Sequence, residues 1–266
     1  MDIKEYKLKT ENTKQNHPWE FARLEVVHDL LSKNLNKRGK LNSTNSLTIL
    51  DVGCGDGFFL EQLSKRIPNA DYFAVDTAFD DEFIDFFSKK YASSNITFLS
   101  EIKSDFLQDK HIDVILLMDV IEHIEKDVDF LNDLTNLSGF DDETIIVITV
   151  PAYQSLFCSH DTWLGHYRRY TVKKLRNHLK QAGLKSEKDG YFFTSLLLPR
   201  LIQKFKELII KPNLDNVAGI GDWNGSETSS KTIKNILILD YKWSRFKRKF
   251  GIRLPGLSCF SICKKQ

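Results

Sequence analysis

Three stretches of the chain combine residue types at spacings that can do chemistry. The first is Asp51-Val-Gly53-Cys-Gly55-Asp-Gly57, with three glycines alternating along one short loop. Glycine is required where φ is positive or where backbone must come very close to a ligand. If a helix starts directly after, its free N–H groups point at whatever sits in that turn. The second is Asp119-Val-Ile-Glu122-His123. On a helix, residues at i, i+3 and i+4 share a face, so two carboxylates and an imidazole would meet there. The third is His160-Asp161-Thr-Trp163-Leu-Gly-His166-Tyr-Arg168-Arg169-Tyr170. It holds two histidines, which can take a proton near neutral pH, and two arginines, which can grip an anion in bidentate fashion.

What the glycine loop would hold can be narrowed by elimination. The dinucleotide fingerprint G-x-G-x-x-G is not met, because Phe58 stands at the third glycine position, and the G-K-[ST] ending of a phosphate loop is absent. No Lys or Arg occurs between Leu47 and Ser64, so a pyrophosphate would rest on backbone N–H groups alone. An adenosyl ligand without phosphates fits better. Asp76, twenty-three residues after Gly53, can accept both hydroxyls of a ribose. The plain alternatives are a tight turn without a ligand and a solvated aspartate at a strand end.

These groups need elements that bring them to one edge. Leu47–Val52 is a short apolar run stopped by glycines and reads as a buried strand, and Leu60, Leu63 and Ile67 lie on one face of a helix after it. Strands are predicted at Tyr72–Val75, Ile96–Leu99, Asp113–Met118 and Thr144–Val150. Helices are predicted before the first strand (His17–Leu35), up to Tyr91, over Lys126–Leu137 and over Thr171–Ala182. Such alternation means a doubly wound, mostly parallel α/β sheet. Ligands of such sheets bind beyond the carboxyl ends of the strands, after Asp51, Asp76, Met118 and Val150. The chain is expected to be one domain over 1–266. Its core spans about 17–194, a lid or amphipathic helical insertion about 195–256, and a closing strand 257–264.

Composition excludes other classes. Hydrophobic residues are 41% and charged residues 28% of 266, which is ordinary for a globular protein and rules out wholesale disorder. A net charge of +2 argues against nucleic acid as a partner, although Lys231–Gln266 holds ten basic residues against Asp240 alone. That segment is therefore +9 and the rest of the chain −7. Cys54, Cys158, Cys259 and Cys263 show no zinc spacing, and free thiols suit a reducing cytoplasm. The polar first 16 residues are expected to fray and lack the apolar run of a signal peptide.

Leu47-Thr-Ile-Leu-Asp-Val-Gly-Cys-Gly-Asp-Gly, with Asp76 and Leu117-Met-Asp-Val-Ile-Glu-His-Ile, resembles class I S-adenosyl-L-methionine-dependent methyltransferases. The resemblance runs from about Trp19 to Phe193 and is nearest to the branch of ubiquinone-type O-methyltransferases. It implies a seven-stranded Rossmann-like fold, that Gly53, Gly55 and Gly57 face the amino-acid part of the cofactor, that Asp51 also binds the cofactor, that Asp76 holds the ribose and that Met118 lines the pocket. It also implies adenine contacts near Glu101 and Ile102, and a cofactor-side role for Arg23, whose plain alternative is a surface charge.

Methyl transfer from a sulfonium needs alignment and, for a hydroxyl acceptor, a base. His166 and His123 are the catalytic candidates. Arg168, Arg169 and Tyr170 are the acceptor-binding candidates, in a lid whose plain alternative is an ion-paired connector. Similar methyltransferases place an acid-x-x-Glu-His set on a divalent metal. Here Asp119, Glu122 and His123 read rather as residues that cap and orient their loop, and no metal ligand is assigned. The expected acceptor is a small molecule, a glycan or a lipid-linked intermediate, methylated on oxygen. The alternative is an RNA methyltransferase using Asp119, Glu122, His123 and the basic tail. In Leu196–Ile210 and Tyr241–Phe250, basic and apolar residues alternate, so both a peripheral membrane contact and a helix packed on the domain stay open.

Overall fold

The computed structural model describes residue 6 and residues 16–41, 43–102, 110–210, 223 and 225–266. Most of the first 16 residues, expected to fray, and residues 211–222 lie outside these. The described elements are α1 (Pro18–Lys37), β1 (Leu47–Val52), α2 (Phe58–Ser64), β2 (Ala70–Val75), α3 (Asp81–Lys90), β3 (Ile96–Leu99), β4 (Val114–Met118) and α4 (Asp127–Thr135). They continue with β5 (Ile145–Pro151), α5 (Ser159–Leu164), α6 (Val172–Gln181), β6 (Leu184–Phe192), α7 (Leu197–Ile209), α8 (Glu227–Arg248) and β7 (Ser258–Lys265).

The seven strands form one sheet in the order β3-β2-β1-β4-β5-β7-β6. The pairs from β3 to β5 are parallel, whereas β7 runs antiparallel to both β5 and β6. The strand order reverses between β1 and β4, and the carboxyl ends of both strands open at that point.

β1, β4 and β5 are almost continuously buried because helices cover both faces of the sheet. Successive side chains alternate between two cores. Ile49, Leu116 and Val147 pack with Leu24, Leu60, Phe87 and Leu237 from α1, α2, α3 and α8. Leu50, Ile115 and Ile148 pack with Leu131, Leu134, Leu175 and Leu179 from α4 and α6.

One strand escaped the sequence reading. β6 reads Leu-Lys-Ser-Glu-Lys-Asp-Gly-Tyr-Phe, too charged to look like a strand. It lies at the sheet edge, pairs only with β7, and carries a register shift between Ser186 and Lys188. An edge strand tolerates, and is protected by, such polar composition.

The stretch between β6 and β7 carries α7 and α8. α8 packs on α1, where Asp29 accepts from the Tyr241 hydroxyl at 2.7 Å and from Arg245 at 2.6 Å. One face of α8 is therefore packed on the domain, while Trp243 and Phe246 on the same helix stay exposed. All four cysteines are free and buried. Among the described residues, no helix is long and apolar enough to cross a membrane.

Candidate functional site

A cavity of about 910 Å³ opens at the carboxyl ends of β1, β2, β4 and β5. That is near the upper end of the range for small-molecule sites, about 300–1,000 Å³. Asp51, Gly53, Gly55, Asp76, Met118, Glu122, His123, His160, His166 and Arg169 all line it, as do Arg23 from α1 and Arg200 from α7.

The glycine loop is built as the spacing demands. Gly53, Gly55 and Gly57 have φ of 72°, 59° and 71°. A Cβ on Gly53 would come within 2.7 Å of Val120, and one on Gly57 within 2.9 Å of Phe98, so any side chain there is both strained and obstructed. Asp76, just past the end of β2, braces the turn that follows β1. Its carboxylate accepts from the Gly55 N–H at 3.0 Å and from the Ala78 N–H at 3.0 Å.

Beside the loop, Asp51 is buried at the floor, and its Oδ1 has no hydrogen-bond partner. Burial pushes its carboxyl up to about 7, against the pull of Arg23. Arg23 is not a surface charge. It is buried, ion-pairs with Asp119 and lies 4.6 Å from the centre of the Trp19 ring. An N-terminal capping box of His17 and Glu20 fixes the start of the helix that presents it.

The second motif folds differently from the helical face expected. Asp119 has φ of 60°, a left-handed conformation rare outside glycine, and only a short 3-10 turn follows at Ile121–His123. The turn splits the motif. Asp119 goes to Arg23 and to the Thr149 hydroxyl at 3.2 Å, whereas Glu122 and His123 face His166. Among the described residues, the three-donor group that forms joins Glu122 and His123 to His166 rather than to Asp119.

Glu122 is fully buried, with neither carboxylate oxygen bonded. Burial first, and the Asp119 charge second, hold its carboxyl well above the usual range. The His123 and His166 rings meet edge to face at 4.5 Å. One ligand atom from each of Glu122, His123 and His166 lies within 4.8 Å of the others. This three-donor group could hold a divalent ion. The sequence did not reveal it, because His166 arrives from the third motif.

That third motif holds the most ordered polar network in the cavity wall. α5 ends at Gly165 (φ 81°), which turns the chain so that His166 comes back over Asp161. His166 Nδ1 lies 2.9 Å from Asp161 Oδ1. Arg169 donates to both oxygens of Asp161, at 2.8 and 3.0 Å, and the Cys158 N–H donates at 2.9 Å. Burial pushes the Asp161 carboxyl up, but the His166 hydrogen bond and Arg169 outweigh it and hold it well below the usual range. An ionised carboxylate can only accept, so Nδ1 must carry a proton, and the tautomer this selects has its lone pair on Nε2. Nearby His160 stays neutral, since burial and Arg200 push it down to about 4.

Three acceptor-side expectations need correction. Tyr170 is fully buried, with its hydroxyl 2.6 Å from Asp127 Oδ2, and it does not line the cavity. Arg168 bonds Asp127 at 2.7 Å and the Glu125 carbonyl at 2.6 Å, also away from the cavity. Arg169 borders the cavity, but its guanidinium fork is spent on Asp161 and cannot also clamp an anion. Consecutive residues of an extended segment point to opposite sides, and the sequence did not show which side is the interior. Glu101 and Ile102 do not line the cavity either. The basic group missed on the acceptor side is Arg200, whose guanidinium lies 2.8 Å from Cys158 Sγ.

The sequence profile of a methyltransferase-domain family matches residues 19–189, and the chain belongs to that family. It is a class I S-adenosyl-L-methionine-dependent methyltransferase. Among solved structures, a Galdieria sulphuraria protein assigned as a sarcosine dimethylglycine methyltransferase is 14% identical. Its TM-score is 0.54, over 90% of this chain and 85% of that one. Coclaurine N-methyltransferase bound to N-methylheliamine and S-adenosylhomocysteine is 12% identical, with a TM-score of 0.53, over 91% of this chain and 70% of that one. Both are similarities of fold. No curated protein matches the chain.

The cavity floor suits this cofactor. A buried carboxylate oxygen without a partner at Asp51 calls for a cation, as an amino-acid ammonium supplies. Asp76 retains acceptor capacity for a diol, and the loop offers no cation for a pyrophosphate.

Proposed function

We propose that this chain methylates a hydroxyl of a small-molecule, glycan or lipid-linked acceptor, with His166 as the base. The ubiquinone-type O-methyltransferases are the branch it resembles in this reading. Asp51, the loop from Gly53 to Gly57, Asp76 and Met118 would hold S-adenosyl-L-methionine. When bound, that compound supplies a methyl group on a cationic sulfur, which leaves as a neutral thioether.

The observation that carries the reading is the Asp161–His166 pair. Asp161 fixes the tautomer that leaves Nε2 able to accept a proton, and His166 lines the same cavity as the glycine loop. As the acceptor oxygen gains the methyl carbon, its proton passes to Nε2, and the imidazolium formed is stabilised by Asp161. Arg169 keeps Asp161 in place and ionised. Arg200 provides a fixed positive charge on the acceptor side, suited to an acceptor with an anionic group. His123, packed against His166, limits its rotation.

The test is transfer of labelled methyl from S-adenosyl-L-methionine to a panel of phenols, glycans and lipid-linked glycans, with the product linkage identified. An ether methyl on oxygen that His166→Ala abolishes is expected. Transfer to nitrogen, or equal rates in His166→Ala, would refute the oxygen-and-base reading.

A further inference from the structure

α7 is an amphipathic helix mounted the wrong way round. A surface helix ordinarily buries its apolar stripe and exposes its polar one. In α7 the polar residues Arg200, Gln203, Lys204 and Glu207 face the domain. Arg200 contacts Cys158 Sγ, Lys204 donates to the Phe157 carbonyl, and Glu207 accepts from the Ser159 N–H at 2.9 Å and hydroxyl at 2.7 Å. No residue of the helix is buried. The opposite face presents Leu198, Leu201, Ile202, Phe205, Leu208 and Ile209, with Phe205 63%, Leu208 70% and Ile209 84% exposed. Their i, i+3, i+4, i+7 spacing makes one continuous stripe along the helix.

We propose that this outward stripe docks on the surface of an anionic lipid bilayer. Charge selects that occupant over a second copy of the chain. Exposed Lys206 borders the stripe, and the segment 231–266 is formally +9, with Lys231, Arg245, Arg253 and Lys264 ion-paired to acids outside it and exposed Lys242 and Lys249 among the rest. A symmetric contact between two copies would bring like charges together. α8 adds a second surface of the same chemistry. Trp243, Phe246 and Phe250 are exposed, Trp243 stacks on Phe246 at 5.8 Å, Phe250 meets Phe246 edge-on at 5.1 Å, and Lys247 lies 4.6 Å from the Trp243 ring. Tryptophan and phenylalanine beside lysine is the composition of helices that lie in a membrane interface.

The placement also bears on the substrate. The inner face of α7 lines the cavity through Pro199, Arg200 and Gln203. A docked α7 is therefore at once a wall of the site and the contact with lipid. An acceptor whose tail stays in the bilayer and whose headgroup enters the cavity would meet Arg200 there. This last step rests on the methyl-transfer reading, whereas the docking does not.

The test is co-sedimentation of the full chain with vesicles of phosphatidylcholine alone or mixed with phosphatidylglycerol. Binding to the mixed vesicles that weakens as salt rises is expected, with little binding to the neutral ones. Phe205→Glu with Ile209→Glu, two exposed positions outside the cavity, should lower the partition at least about tenfold. Its affinity for S-adenosyl-L-methionine, read by calorimetry, should not change. Absence of wild-type binding, or equal binding by the variant, would overturn the proposal. So would a wild-type dimer seen by light scattering that the variant dissolves without any vesicle binding. Cofactor binding is measured separately, so failure of the docking and failure of the methyltransferase reading give different results.

Discussion

Asp161 and His166 stand 2.9 Å apart, Oδ1 to Nδ1, on the two sides of a left-handed glycine that ends α5. The relationship is directional. A carboxylate at Asp161 requires the proton on Nδ1, whereas an amide oriented to donate to Nδ1 would move that proton to Nε2. Asp161→Asn should therefore slow methyl transfer by roughly 10²–10⁴-fold, the ordinary worth of a positioned base. Cofactor affinity should change little. The split between kcat and the cofactor dissociation constant is the measurement. A variant that loses only cofactor affinity would contradict the base role.

Asp76 joins two functions that one substitution separates. It is the expected ribose acceptor, and in the free protein it also ties the glycine loop to the end of β2 through Gly55. Asp76→Ala removes an ionised acceptor worth about 1.5–3 kcal/mol per hydrogen bond, so cofactor affinity should fall at least roughly 10- to 100-fold. The fold should survive, because neither sheet core uses this side chain. Calorimetry with S-adenosylhomocysteine reads the first effect, and far-ultraviolet circular dichroism the second. Unchanged affinity would remove Asp76 from the ribose role.

Legibility in the sequence followed the strength of local rules. The glycine loop could be read because positive φ at Gly53, Gly55 and Gly57 leaves glycine as the ready choice, and the buried strands could be read because both faces are apolar. β6 was hidden by its edge position, where charge is an advantage. The split of Asp119 from Glu122 depends on one left-handed residue that is not a glycine, and no residue type announces that. Tyr170, expected at the acceptor, is buried away from the cavity, and Arg200, not expected there, lines it, for a similar reason. Which side of a segment faces the interior is decided by tertiary packing, and Arg200 reaches the cavity only because α7 is mounted with its polar face inward.

Asp51 gives the site a pH dependence whose sign is fixed. Its carboxyl sits near 7 in the free protein, well above the ordinary 3.8. If the ionised form receives the cofactor ammonium, binding must release a proton below that pH. Affinity should then rise about tenfold per pH unit up to about 7 and level off above it. For the free protein the sign is reversed. The stability contributed by the raised value is complete below pH 3.8 and is lost as pH climbs to about 7. Calorimetry in buffers of different ionisation enthalpy measures the proton release, and Asp51→Asn should abolish it. Proton uptake instead of release would contradict the pairing.

Tyr170 and Asp127 provide a test of the corrected acceptor side. The buried hydroxyl lies 2.6 Å from Asp127 Oδ2, and His178 Nδ1 and Arg168 converge on the same carboxylate. Tyr170→Phe should cost about 1–3 kcal/mol of stability by leaving that acceptor short of a donor. Activity per folded molecule should be unchanged. Denaturant midpoints and turnover at saturating acceptor separate the two. A loss of turnover without a loss of stability would return Tyr170 to the acceptor site.

Glu122, His123 and His166 pose a choice that metal removal decides. His166 Nε2 cannot serve both as a base and as a ligand in the same step. If it is the base, a chelator should leave turnover unchanged, and Glu122→Gln should retain most activity, because burial already favours the uncharged form of that carboxyl. If the group holds a divalent ion, the chelator should abolish turnover and added magnesium or manganese should restore it. Glu122→Gln should then be as damaging as His166→Ala, since a buried carboxylate without a hydrogen-bond partner becomes favourable beside a dication and is lost in the amide. Asp161 supports the base, and Glu122 would support the metal. Turnover of the wild-type and Glu122→Gln proteins, each with and without chelator, tells the two apart.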